Sequence, residues 1–172
     1  GLLRNRQLKT PLIAAIEGYC VAGGTEILQG TDIRVAGEGS VFGVTEAKWS
    51  LYPQGGSVIR LRRQIPYTKA MEMLLTADMY PAEEALAFGL IGRVVPKGQA
   101  LAAARELAAK VCANGPVAVR KIKEAVIATE CLPEKDALAL DFQIGQQVYL
   151  TEDAREGPRA FKEKRTPVFK GR

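Results

Sequence analysis

The stretch that decides the fold is GYCVAGGTEILQG, residues 18–30. Residues 11–16, PLIAAI, precede it as an apolar run of strand length, and Ile27 and Leu28 followed by Gly30 predict a short helix with a glycine stop. The segment is therefore expected to run strand, tight turn, helix. Ala22, Gly23 and Gly24 let the backbone turn sharply and let a ligand approach it, with their N–H groups at the positive end of a helix dipole. That arrangement suits a developing negative charge, as in an oxyanion hole. Glu26 follows Gly23 by three residues, so on a helix its carboxylate rises from the same face. An ordinary strand-to-helix turn, with a glutamate complementing the dipole, accounts for the same residues equally well. A second carboxylate is needed to decide.

Outward from this stretch, residues 32–36 (DIRVA) predict a second strand, parallel to the first across the helix. Phe42 and Val44 fit a short strand, Thr45 opens a helical turn carrying Glu46, and residues 52–56 (YPQGG) form a loop. Helices are predicted over 57–65 and 67–77, with Trp49 and the methionines in the core. A short helix over 81–88 stops at Gly89, a strand follows at 91–95, and Leu101, Ala104, Ala108 and Val111 mark a long helix ending near Asn114 and Gly115. Pro116, Pro133 and Pro158 then each suit a first helical position, so the remainder is expected to be helices without strands. The chain divides accordingly into an α/β core, 1–115, and a helical region, 116–172, that packs on the core or on a neighbouring subunit.

Composition narrows the chemistry. The 172 residues, 47% hydrophobic, suffice for a sizeable core. No apolar run of membrane-spanning length occurs, and residues 1–10 lack a leader's apolar segment, so a soluble cytoplasmic protein is expected, with no membrane partner. Cys20, Cys112 and Cys131 stand in no metal-ligand pattern and suit free thiols. Histidine is absent, which removes the usual general base, serine triads and most zinc sites; no metal is expected, and any proton transfer falls to carboxylates, tyrosine or lysine. The net charge of +5 is concentrated in residues 155–172, where seven Lys and Arg face Glu156 and Glu163. Such a tail suits a polyphosphate ligand, a membrane surface or nucleic acid, or is simply a solvated helix face. Aromatics are 6% of the chain and do not interleave with the basic residues, which disfavours nucleic acid.

Residues 11–18 (PLIAAIEG), 22–26 (AGGTE), 32–36 (DIRVA), Phe42-Gly43, Glu46, 85–95 (ALAFGLIGRVV) and 156–165 (EGPRAFKEKR) together resemble the enoyl-CoA hydratase (crotonase) family, over essentially the whole chain and in the family's order. The likeness is greatest to actinobacterial members, through residues 46–53 (EAKWSLYP) and 63–67 (RQIPY).

The resemblance implies a crotonase-like spiral core of repeated ββα units, incomplete at its N-terminus, with a C-terminal all-helical layer. It makes Gly23 the N–H that holds the thioester oxygen, Glu26 and Glu46 the catalytic carboxylates, and Ala22, Gly24 and Trp49 neighbours of the substrate. Keeping both carboxylates favours reversible hydration of a 2-enoyl-CoA, a lyase reaction of fatty-acid β-oxidation; an enoyl-CoA isomerase, or a catalytically incompetent fragment or assembly subunit, is the alternative. Coenzyme A enters as part of the substrate, and no separate cofactor is implied. Lys164 and Arg165 are candidates to meet its phosphates. The likeness also implies a homotrimer or dimer of trimers, and a segment in front of Gly1 that carries further strands and a second oxyanion donor. Gln54 departs from the family pattern, in which glycine is usual. In the helix after Pro133, Leu138, Phe142, Gly145 and Tyr149 share one face, so Gly145 leaves room either for close helix packing or for an acyl chain.

Overall fold

The computed structural model describes residue 4 and residues 8–172, so the reading of residues 1–10 lies largely outside it. The chain forms two units, one built on Leu12–Leu107 and one of Lys9–Pro11 with Ala108–Arg172.

Among the described residues of the first unit, six short strands make two sheets. Strands β1 (Ile13–Ile16), β3 (Ile33–Gly37) and β6 (Arg93–Val95) lie parallel in the order β1-β3-β6. Strands β2 (Tyr19–Val21), β4 (Val41–Gly43) and β5 (Met79–Pro81) form the other, with β2 parallel and β5 antiparallel to β4. Strands β1 to β4 alternate between the sheets, β5 stays beside β4 in the second, and β6 returns to the first. The two corners where the chain leaves the first sheet for the second hold Gly18 and Gly39 at φ 75° and 78°, which an L side chain resists. Helices α1 (Gly23–Leu28), α2 (Ser57–Gln64), α3 (Tyr67–Thr76) and α4 (Ala82–Ala87) and a 3-10 turn (Glu46–Trp49) complete this part.

Adjacent residues of β3 serve opposite faces, as strand geometry requires. Ala36 joins the main core with Phe42, Leu61, Met73 and Leu90, whereas Val35 packs with Ala100 and Ala104 of α5 (Ala100–Cys112). Burial of each large side chain here stabilises the fold by about 1.5–3 kcal/mol. Glu17 fixes the start of α5, its Oε1 accepting from the Ala100 N–H at 3.0 Å.

The second unit holds α6 (Pro116–Thr129), α7 (Glu134–Tyr149) and α8 (Glu152–Lys162). Pro116 opens α6 as expected, and α6 and α7 pack on each other, with Ala125 and Ile144 buried. Among the described residues no helix is long and apolar enough to cross a membrane.

Four sequence expectations change. Gly30 is not a left-handed stop: α1 ends at Leu28, and Gln29 caps it in ordinary helical geometry. Pro158 lies inside α8, not at its start, because Thr151 caps the helix by accepting from the Ala154 N–H at 3.1 Å, and Glu152 and Asp153 complement the dipole of the first turn. Trp49 is no core residue but 71% exposed, since the 3-10 turn presents it outward. Gly145 makes no close helix contact within this chain: a Cβ there would meet nothing within 4 Å, and Leu138, Phe142 and Tyr149 on the same face are exposed.

The basic tail keeps all seven of its Lys and Arg residues exposed. It folds back so that Asp153 accepts from the N–H groups of Lys170 (2.6 Å) and Gly171 (2.8 Å), Glu156 accepts from that of Val168 (3.0 Å), and the Arg172 carbonyl accepts from the Glu152 N–H (2.8 Å).

Candidate active site

Where β2 becomes α1, the backbone makes its sharpest turn at Ala22, with φ 49° and ψ −124°. A non-glycine residue in such a region costs about 1–3 kcal/mol and persists only where its surroundings impose it. Here they do. The Ala22 N–H donates to the Gly43 carbonyl at 2.8 Å, and the buried Thr25 hydroxyl bridges the Cys20 and Gly43 carbonyls, 2.9 Å from the latter. The sequence assigned the sharp turn to Ala22, Gly23 and Gly24 together; it falls on Ala22, while Gly23 and Gly24 are exposed, helical first-turn residues without a positive φ. Their smallness serves access, since a Cβ on Gly23 would meet nothing within 4 Å. First-turn N–H groups have no acceptor inside their own helix and are free for a ligand.

Glu26 follows in α1 and is 5% exposed. Two residues of a later segment hold its carboxylate. The Ser57 N–H at the start of α2 donates to Oε1 at 3.3 Å, and Gly55 packs flat against the group, where a Cβ would lie 2.7 Å from Cδ. One turn on, Gln29 donates its side-chain amide to the Ser57 hydroxyl at 2.9 Å.

Glu46 opens the 3-10 turn, and its Oε2 is shielded from solvent with no hydrogen-bond partner. Burial raises its pKa above the usual carboxylate value and the nearby charge of Glu26 adds to the rise, against a hydrogen bond from its own backbone that lowers it. The two carboxylates therefore lie within electrostatic reach of each other, one oriented by an N–H and the other carrying a buried, uncommitted oxygen. Such a pair can hold one water and exchange protons with it.

Of the predicted residues, Ala22, Gly23, Gly24 and Glu26 share one continuous segment, and Trp49 stands on the turn of Glu46, followed by the exposed Leu51 and Tyr52. Gly145, Lys164 and Arg165 belong to the second unit. Lys164 is exposed at φ 53°, whereas the Arg165 guanidinium is engaged by Glu156 (2.6 and 3.0 Å) and Glu163 (2.6 Å). Sequence reasoning missed Gly55, Ser57 and Gln29. The glycine pair in the 52–56 loop was the available signal for the first. Among the described residues no group of three or more His, Cys, Asp and Glu is placed to hold a metal.

Residues 1–172 match the sequence family described as enoyl-CoA hydratase/isomerase. The chain is 61% identical to enoyl-CoA hydratase EchA19 of Mycobacterium tuberculosis over its full length, while spanning 65% of that protein, less than two thirds. It is 38% identical to the carnitinyl-CoA dehydratase of Salmonella typhi, covering 67% of it. Among solved structures, enoyl-CoA hydratase from Mycobacterium tuberculosis H37Rv superposes with a TM-score of 0.95 at 42% identity, over 97% of this chain and 66% of that one. Enoyl-CoA hydratase from Bacillus anthracis gives 0.94 at 40% identity, over 96% and 64%.

Proposed function

The chain belongs to the enoyl-CoA hydratase/isomerase family and has its fold, and from that premise we propose that the whole protein adds water reversibly to a 2-enoyl-CoA, giving the 3-hydroxyacyl-CoA. The observation that carries the reading is the pairing of Glu26 and Glu46, since hydration requires a water to be oriented and deprotonated and the α-carbon to gain a proton. Glu26 and Glu46 hold the water between them. As its oxygen bonds to the β-carbon, one carboxylate takes its proton, and the electrons of the double bond move toward the thioester oxygen. The Gly23 N–H at the mouth of α1 stabilises the enolate so formed. The α-carbon is then protonated from the carboxylate pair.

Coenzyme A enters with the substrate. Lys164 is the tail residue proposed to meet its phosphates, because Arg165 already answers Glu156 and Glu163. The exposed Leu138, Phe142 and Tyr149 support assembly into trimers through the helical region.

Glu26→Gln and Glu46→Gln in the whole protein are each expected to lower kcat by about 10²–10⁴-fold, with CoA-ester affinity nearly unchanged. Enoyl thioester absorbance reports turnover, and calorimetry on a saturated acyl-CoA reports binding. Normal turnover by either variant overturns the hydratase reading.

A further inference from the structure

Helix α2 is pinned to α1 through buried polar groups that the hydration chemistry does not itself require. Glu26 and Gln29 lie one turn apart on the same face of α1, 5% and 3% exposed. Ser57, wholly buried at the first position of α2, binds both: its N–H goes to Glu26 Oε1 at 3.3 Å, and its Oγ accepts from Gln29 Nε2 at 2.9 Å. At the other end of α2, Gln64 Nε2 donates to the Gln29 carbonyl at 2.9 Å, and its Oε1 accepts from Arg34 at 2.8 Å.

This arrangement is a poor choice for stability alone. Gln29 Oε1 is buried without a partner, and an unsatisfied buried acceptor costs about 1–3 kcal/mol that an apolar side chain of the same length avoids. Geometry gives the amide a use. As a first-turn group, the Ser57 N–H has no acceptor within α2, so its direction depends on where the end of that helix is held. Its 3.3 Å bond to Glu26 is already long, and a further shift of a few tenths of an ångström breaks it.

We propose that Gln29 is a positioning residue for Glu26: by holding the Ser57 hydroxyl it fixes the N–H that orients the carboxylate. The proposal rests on the reading of Glu26 as a group that handles the substrate water.

The test uses the whole protein and three variants. Gln29→Met keeps the length and removes the amide, Ser57→Ala removes the hydroxyl and keeps the N–H, and the third combines them. Each single change is expected to lower kcat about tenfold with KM within twofold, and the double variant to be no worse than the poorer single, because both cut one link. Hydrogen exchange at the Ser57 amide, read by NMR, should accelerate at least tenfold in Gln29→Met. A lower Tm with kcat and Ser57 exchange unchanged overturns the proposal in favour of a packing role. If the unaltered protein hydrates no 2-enoyl-CoA, the functional reading fails. The exchange measurement then still decides whether Gln29 holds the Ser57 N–H, and unchanged exchange refutes that link.

Discussion

Replacing Gly55 with alanine tests the site with a single methyl group. Gly55 does not have a positive φ, so alanine meets no backbone objection there; the nearest conflict is with Glu26. The new Cβ would lie 2.7 Å from Glu26 Cδ and 3.0 Å from its Cβ, where carbon atoms ordinarily stand about 3.5–4.0 Å apart. The carboxylate must therefore retreat by roughly 0.8 Å or more. Its 3.3 Å bond from the Ser57 N–H does not survive a displacement of that size. Misplacing a reacting group by about 1 Å costs on the order of 10²-fold in rate. A kcat loss of about 30- to 100-fold is expected, together with about 1–3 kcal/mol of overpacking. Turnover of a 2-enoyl-CoA by the whole protein supplies kcat and KM, and thermal melting supplies the stability. The same substitution made in a Glu26→Ala background should cost less stability, because the carboxylate is gone and only the 3.0 Å approach to the residue-26 Cβ remains. A Gly55→Ala variant with kcat within twofold of the parent would refute the argument that this glycine seats Glu26.

Glu46→Gln should melt higher than the parent near pH 7 and equal to it near pH 4. The raised pKa makes the ionised Glu46 a burden that is absent below the ordinary carboxylate value and grows as pH rises through the folded one. Glu156→Gln should behave oppositely. Arg165, the Val168 N–H and Arg159 hold that carboxyl well below the usual range, so its contribution is present above about pH 4.3 and lost as the pH falls. The Tm deficit of Glu156→Gln at pH 7 should therefore close in acid. Gly145→Ala should stabilise α7 by about 0.8–1.0 kcal/mol, because the added methyl meets nothing in this chain; a lower Tm would reveal a second body seated on that face.

What the sequence disclosed was local. An apolar run before a glycine-rich turn sufficed for β1 and α1, and Pro116 and Gly89 marked real helix ends. Strands β2 and β5, three residues each, carry too little periodicity to be seen, and they exist because β4 lies between them. Pro158 misled because the helix-start signal at Thr151 was passed over for the proline. Within the site, Glu26 and Glu46 were recoverable from a family likeness. Gln29, Ser57 and Gly55 were not, because their meaning lies in contacts between segments about thirty residues apart in sequence. Trp49 escaped for another reason: its size suggested burial, but a 3-10 turn dictated the direction it faces.

The turn at Ala22 also bears on the order of folding. Its backbone lies where alanine seldom goes, and two of its tethers end on Gly43, the last residue of β4. An isolated 18–30 segment therefore has no means of keeping this shape, and the turn can settle only once β2 and β4 have paired. The same dependence runs backwards in the native state: an opening of β4 also dissolves the turn. Any ligand that favours the formed turn thus acts on the whole sheet, slowing its opening in proportion to its own affinity.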